Sequence, residues 1–207
     1  SLKDSASQKG FVSPSSIEFY GPNAIDFIRA EAGGLSDSAQ YGIWSEQEGD
    51  SKDEDARLEA WLTLLEEAGA NLEETLFAQD ESGRKRLAQM RHAVPAGINE
   101  QVVANGMPKV GTDCAVPWTA LPEMMETYAA VPLPHVLFGH IGDSHLHLNI
   151  LPKNSSELNQ AKEIYRALCQ KAVALGGSVS AEHGIGKIKQ AHLAAMVGVE
   201  VIRQFEA

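Results

Sequence analysis

Three histidines and an aspartate lie within the twelve residues of the segment GHIGDSHLHLNI, at positions 139–150. Most of the other residues in this segment are apolar, which is typical of a strand in a sheet. Neutral imidazole is the commonest protein ligand for zinc and similar divalent ions, and it can accept a proton near neutral pH. The segment therefore indicates a site for metal binding or proton transfer.

The same segment is predicted to form a β-hairpin with Gly142 and Asp143 at the centre of a tight turn. His140 would then lie opposite His145, and side chains would alternate between the two faces of each strand. One face would carry the polar side chains His140, His145, His147 and Asn149. The other would carry Gly139, Ile141, Leu146, Leu148 and Ile150. A three-residue loop would move His140 to the opposite face, so the prediction depends on the turn.

A catalytic metal site typically adds a third protein ligand, often a carboxylate, and leaves one position open. Glu182, in the segment SAEHGIG, is the candidate because it follows an apolar strand-like run and precedes His183 and a glycine-rich turn. A single histidine on a strand is more often a hydrogen-bonded surface or core residue. Three on one face, together with the Glu-His pair, favour a site. The isolated residues His92, His135 and His192 are interpreted as ordinary surface or core histidines rather than as ligands.

Composition narrows the classes of partner. The 207 residues carry a formal net charge of −11, which argues against nucleic acid or an anionic membrane as the main partner. No run of apolar residues is long enough to span a membrane, and residues 1–12 are expected to be a disordered tail. Cys114 and Cys169 lie far apart, and two free thiols in a reducing compartment are favoured over a disulfide.

Strand-like and helix-like patterns alternate along the chain. Strands are predicted at 15–21, 39–49, 74–80, 111–118, 135–141, 145–151 and the start of 176–186. Helices are predicted at 23–33, 51–69, 82–94, 120–130, 156–175, 187–196 and 199–205, with Pro95 ending the third and 96–110 forming a loop. This order predicts an α+β fold, with an antiparallel sheet covered by helices on one face. Ferredoxin-like units in two related halves are expected.

Two segments resemble paired signatures of a known family, the C-terminal domain of FAD-linked oxidases. FGHIGDSHLHLNILP and GGSVSAEHGIGKIK are similar to the family forms G-H-x-G-D-G-N-L-H and G-E-H-G-I-G-x-x-K, at a similar separation. The weaker blocks SSIEFYG, LAQMRHAV and KVGTDCAVP extend the resemblance over residues 12–207. The family includes D-lactate dehydrogenases, glycolate oxidase subunits and D-2-hydroxyglutarate dehydrogenases.

The resemblance implies roles for residues around a metal. It implies that His140, His147 and Glu182 bind a divalent ion, with zinc favoured and manganese or iron as alternatives. It also implies that His183 is the catalytic base. His145 stands where asparagine is common in the family, and it is interpreted as an additional group that contacts the metal or supports its ligands.

The resemblance also implies substrate contacts. Asn149 matches a residue that lines the substrate pocket, and Arg91 matches, in a looser block, an arginine that holds the substrate carboxylate. The tryptophan that often precedes this arginine block is absent here. Lys109 does not align with the family's substrate lysine, and no role is assigned to it.

The implied function is that of the substrate (cap) domain, residues 13–207, of a larger flavoenzyme. Such an enzyme passes a hydride from the α-carbon of a small 2-hydroxy acid to FAD. The FAD-binding domain is expected upstream and absent from this chain, which is expected to be truncated at its C-terminus and inactive alone. The electron acceptor is unknown. A cytoplasmic location is expected, with peripheral membrane attachment through an electron-transfer partner as the alternative.

Other functions remain open from the residues alone. A zinc hydrolase could be built from His140, His147 and Glu182. HLHLNILP also resembles the histidine-triad pattern of nucleotide hydrolases, although Asn149 occupies the third histidine position. A non-catalytic interaction domain is the third alternative, and the polar face of the hairpin argues against it.

Overall fold

The computed structural model describes residues 10–32, 35, 37–185 and 189–198. The strands are β1 (Ser16–Tyr20), β2 (Gly42–Glu46), β3 (Val110–Gly111), β4 (Cys114–Ala115), β5 (His135–His140) and β6 (His145–Ile150). The α-helices are α1 (Pro22–Ala32), α2 (Glu54–Glu67), α3 (Glu81–Asn105), α4 (Leu121–Ala129), α5 (Ser155–Ala174) and α6 (Gln190–Val197). Residues 1–9 of the expected tail lie outside the described residues, whereas Val12 is buried beside Leu64.

The strands form one antiparallel sheet in the order β2-β1-β5-β6-β3, and β4 also pairs with β6. The predicted α+β class and antiparallel sheet are therefore confirmed. The ferredoxin-like arrangement in two related halves stays a prediction. Within the part of the chain that the structure describes, no helix is both long and apolar enough to cross a membrane.

Helices cover both faces of the sheet, so the expectation of helices on one face is wrong. Leu146, Leu148 and Ile150 of β6 pack with residues of α4 and α5 on one face. Val136 and Phe138 of β5 pack with residues of α1 and α3 on the other. A central strand that is apolar on both sides needs a covering layer on each, and the run HVLF in β5 is such a sequence.

The hairpin between β5 and β6 keeps the predicted pairing of His140 with His145, and Phe138 lies opposite His147. Its loop is longer than expected: Ile141–Asp143 form a turn of 3₁₀ helix, and the backbone N–H of Ser144 donates to the carbonyl of Ile141 at 3.0 Å. Because a four-residue and a two-residue loop are both even in length, the side-chain alternation is unchanged. The three imidazoles therefore share one face, as predicted.

Helix α3 does not end at Pro95 but continues through the predicted loop to Asn105. Met90, Val94 and Ile98 form a buried stripe at helical spacing against α1, and this packing extends on both sides of the exposed proline. The packing outweighs the hydrogen bond that proline cannot donate. Gly106, in the left-handed conformation with φ 63°, ends the helix instead.

Three predicted strands also differ from the structure. Residues 74–80 are not a strand, because residue 74 ends a short 3₁₀ helix at 72–74 and 75–80 have no regular structure. The predicted strand 111–118 is divided into β3 and β4 by Thr112 and Asp113. At the start of 176–186, where a strand was also predicted, Ser178 forms an isolated bridge with Ala115. The predicted helix 199–205 lies outside the described residues. The two cysteines are free, buried and in contact, with Sγ atoms 4.0 Å apart.

Candidate metal and substrate site

The carboxylate of Glu182 lies among the three imidazoles of the hairpin. Its Oε1 is 3.3 Å from His140 Nε2 and 3.7 Å from His145 Nδ1, and its Oε2 is 3.8 Å from His147 Nε2. With metal–ligand bonds of about 2.1 Å, neighbouring ligand atoms of a tetrahedral site lie about 3.4 Å apart. The predicted ligands His140, His147 and Glu182 are therefore brought together at distances that suit one divalent ion.

Asp113 holds the loop that carries Glu182 and His183. Its buried carboxylate accepts the backbone N–H of Glu182 at 3.2 Å and that of His183 at 3.0 Å. It also accepts from the hydroxyl of Ser180 at 3.0 Å and from the ammonium of Lys189 at 2.5 Å. Burial alone would raise the pKa of Asp113, but these donors outweigh it and hold the pKa well below its usual range. The carboxylate is therefore ionised and fully engaged.

Two of the hairpin imidazoles, His145 and His147, are in a state suited to metal binding. Burial, together with the neighbouring His145, lowers the pKa of His147 to about 4, and burial also lowers the pKa of His145. Both rings are therefore neutral near pH 7, with a lone pair available for an ion. His147 Nδ1 lies 3.4 Å from the carbonyl oxygen of Thr112, so Nε2 is the nitrogen directed to Glu182.

His183, the predicted base, lies beside this cluster and faces solvent, with 63% of its side chain exposed. Its ring stacks on that of His147, with centroids 5.2 Å apart and planes 10° from parallel. The backbone hydrogen bond to Asp113 fixes the start of the side chain, while the ring remains accessible. This position suits a group that exchanges a proton with a bound small molecule.

Arg91 reaches the cluster through Glu18, a buried carboxylate on β1. The guanidinium Nε donates to both carboxylate oxygens at 3.0 and 2.9 Å, and an Nη2 contact completes a bidentate pair. Tyr20 donates to the same carboxylate at 2.6 Å, and His140 Nδ1 lies 3.5 Å from it. Asn149 is buried on β6 beside Gly111, two residues beyond His147 on the same face.

Sequence reasoning missed Glu18, Asp113 and Lys189, although each leaves a signal. Glu18 and Asp113 are isolated carboxylates in the otherwise apolar runs SIEFY and GTDCAV. Lys189 occupies the final lysine of the pattern G-E-H-G-I-G-x-x-K, and its ammonium contacts Asp113 and Ser180. Charged residues in such positions are expected to have buried partners.

Comparison with known proteins identifies the family. The model of the C-terminal domain of FAD-linked oxidases matches residues 5–207. The chain belongs to this family. Among curated proteins, the chain is 28% identical over 182 residues to the probable mitochondrial D-lactate dehydrogenase of Danio rerio, covering 84% of this chain and 36% of that protein.

Other relatives carry related names. Identity is 31% over 192 residues with the glycolate oxidase subunit GlcD of Escherichia coli K12, covering 89% of this chain and 36% of the relative. It is 28% over 191 residues with the D-2-hydroxyglutarate dehydrogenase of Xanthomonas citri, covering 86% and 39%. The chain thus spans less than half the length of these relatives. It is a C-terminal domain of the FAD-linked oxidase type. Metal and substrate binding are therefore argued from the geometry of the site.

Proposed function

We propose that this FAD-linked oxidase domain binds a divalent metal ion, zinc in the first instance, and a small 2-hydroxy acid. The observation that carries the proposal is the convergence of His140, His147 and Glu182 around one point, with the accessible ring of His183 beside them. The donor set suits zinc, manganese or iron better than magnesium or calcium because it contains imidazole nitrogen. The relatives named above act, by their names, on D-lactate, glycolate or D-2-hydroxyglutarate, which are all 2-hydroxy acids.

The chemistry proposed is oxidation at the α-carbon of the acid. When bound, a divalent ion lowers the pKa of a coordinated hydroxyl, and a flavin accepts the hydride. The ring of His183 accepts the hydroxyl proton because it is exposed and lies next to the ligand cluster. His140, His147 and Glu182 would hold such an ion beside the substrate hydroxyl.

Arg91 and Asn149 are proposed to bind the rest of the acid. Arg91 uses Nε and Nη2 for Glu18, and 39% of its side chain is exposed, so the guanidinium is accessible to a substrate carboxylate. The ion pair with Glu18 restricts the guanidinium and reduces the entropy lost on binding. An FAD-binding domain is the proposed partner of this chain, and a cytoplasmic location is proposed for the protein.

Metal content tests the ligand assignment. Protein purified without chelator is expected to carry close to one divalent ion per chain, and a variant combining His140→Ala with His147→Ala is expected to lose it. Retention of the ion by this variant, shown by elemental analysis, would contradict the assignment. His92→Ala, which removes an exposed imidazole of α3, is the matched control.

A second experiment tests the chemistry. In protein that also contains the flavin-binding region, His183→Ala is expected to slow flavin reduction by D-lactate, glycolate or D-2-hydroxyglutarate while FAD remains bound. Unchanged reduction would exclude His183 as the base. Zinc-dependent ester or nucleotide hydrolysis by the 207-residue chain, without flavin reduction, would favour the hydrolase alternatives instead.

A further inference from the structure

We propose that His145 is a third nitrogen ligand of the metal site, so that three histidines and Glu182 bind the ion. The inference rests on the proposed function, since it assumes that His140, His147 and Glu182 bind a metal. It goes beyond the proposed function because His145 stands where the family commonly has asparagine. The site would then have one nitrogen donor more than the three-residue set of the proposed function.

The first support is the direction of the ring nitrogens. Each hairpin imidazole turns one nitrogen to Glu182 and the other to an outer acceptor. The inner contacts are 3.3, 3.7 and 3.8 Å for His140, His145 and His147. On the outer side, His140 Nδ1 lies 3.5 Å from Glu18 Oε1. His145 Nε2 lies 2.9 Å from Asp113 Oδ1, and His147 Nδ1 lies 3.4 Å from the carbonyl oxygen of Thr112. A metal-binding histidine almost always has such an outer partner on its second nitrogen.

The second support is the position of the three rings. The centroids of His145 and His147 are 4.4 Å apart, and each is 5.9–6.0 Å from that of His140. The ring planes are inclined by 39–81° rather than stacked. The ring of His145 therefore lies directly beside the group formed by His140, His147 and Glu182.

The third support is the burial of His145. The residue is 3% exposed, and its Nε2 lies 2.9 Å from Asp113 Oδ1. Its Nδ1 faces Glu182 Oε1 at 3.7 Å, beyond hydrogen-bonding distance. This separation is close to that of two ligand atoms on one ion, so an ion shared with Glu182 would give Nδ1 a partner.

A different ion position, between Asp113, His145 and His147, is also sterically available. It is disfavoured because Asp113 already accepts from two backbone N–H groups, a hydroxyl and the ammonium of Lys189. A cation there would displace these donors and would lie beside the positive charge of Lys189. Asp113 therefore acts as the outer partner of His145 rather than as a ligand.

The test uses the 207-residue chain with Zn²⁺ and Co²⁺ as probes. Losing an outer partner of a ligand typically costs 10–100-fold in metal affinity, and His145→Asn is expected to weaken Zn²⁺ binding by more than this, above about 100-fold. The visible absorption bands of bound Co²⁺ are expected to change in position and intensity because one nitrogen is lost. His135→Asn is the control, since it removes an imidazole from the same hairpin whose Nδ1 lies 2.8 Å from the carbonyl oxygen of Leu133.

The outcomes separate the two proposals. Wild type that binds no ion overturns the metal site as a whole. Wild-type affinity and an unchanged Co²⁺ spectrum in His145→Asn, with loss of binding in His140→Ala, overturn the role of His145 alone. Retention of the ion in His140→Ala, with loss in Asp113→Asn, places it on the Asp113 side and also overturns the inference.

One measurement needs no variant, in case His145→Asn does not fold. Electron paramagnetic resonance of the wild-type chain loaded with Cu²⁺ reports how many imidazole nitrogens couple to the ion. Three coupled nitrogens support His145 as a ligand, and two overturn it. His145→Gln, which keeps a polar side chain of similar length, provides a second variant for the Zn²⁺ titration.

Discussion

Arg91 and Glu18 form a bidentate ion pair between α3 and β1, across 73 positions of sequence. The two partners are unequal in burial, because 5% of the Glu18 side chain and 39% of the Arg91 side chain are exposed. Glu18 also lies 3.5 Å from His140 Nδ1. The pair thus joins the helical layer to the candidate metal site, and its asymmetry has measurable consequences.

Removing the arginine should destabilise the fold more than neutralising the carboxylate. Arg91→Ala leaves Glu18 buried without its main partner, which costs about 1–3 kcal/mol in the free energy of unfolding. Glu18→Gln leaves a half-exposed guanidinium that water can solvate, so the expected cost is smaller. Urea unfolding at pH 7 measures both values. A larger cost for Glu18→Gln would contradict this ordering.

The same pair predicts a pH dependence. Burial raises the pKa of Glu18, but the hydrogen bonds from Arg91 and Tyr20 outweigh it and lower the pKa below its usual range. A lowered carboxyl pKa stabilises the fold above the unfolded value, near 4.3, and this contribution is lost as the pH falls through the folded value. The stability difference between wild type and Arg91→Ala should therefore shrink below about pH 4.

Asp113→Asn should loosen the loop that presents Glu182. The amide keeps the shape of the side chain but removes the charge that pairs with Lys189, whose side chain is largely buried. Zn²⁺ affinity is expected to fall about 10–100-fold, as for other outer partners of metal ligands. Combining Asp113→Asn with Lys189→Met should recover thermal stability without recovering affinity. Recovery of both would show that Asp113 acts only on stability.

His147 predicts that the metal-free chain loses stability in mild acid. Its folded pKa is about 4, below the ordinary value of 6.5, because burial disfavours the charged ring. Between these values the unfolded chain binds more protons, so stability falls as the pH drops from about 6.5 to 4, by at most about 1.4 kcal/mol per pH unit. Urea unfolding with chelator present measures the slope, which should be smaller in His147→Gln. An equal slope would mean that other groups cause it.

Gly139→Ala should disturb both the fold and the metal site. Gly139 has φ 143°, and an added Cβ would lie 3.0 Å from the carbonyl of His145 and 3.1 Å from the ring of His147. The backbone strain is about 1–3 kcal/mol, and the displaced ring should also weaken Zn²⁺ binding. Gly69→Ala is the matched control, because Gly69 has φ 74° with no atom near the added Cβ. Equal effects of the two substitutions on Zn²⁺ affinity would contradict the contact with His147.

The side chains that the sequence singled out lie together in the structure, whereas several of the elements around them differ from the prediction. The signatures at 139–150 and 176–189 identified His140, His147, Glu182 and His183, which the structure brings together. Pro95 was a poor guide to the end of α3, because packing of Val94 and Ile98 against α1 decides where that helix stops. Packing of this kind involves residues distant in sequence, and local propensity does not report it.

What the sequence determined by itself is the segregation of HLHLNI into two faces. Side chains alternate along a strand, so His145, His147 and Asn149 lie on the same face for any type of turn. A loop with an even number of residues places His140 on that face as well. Only the tertiary structure decided which groups complete the site. Glu18 and Asp113 come from β1 and from the break between β3 and β4, and Lys189 from the start of α6. Buried charges must find partners, but which distant residues supply them depends on how the layers pack.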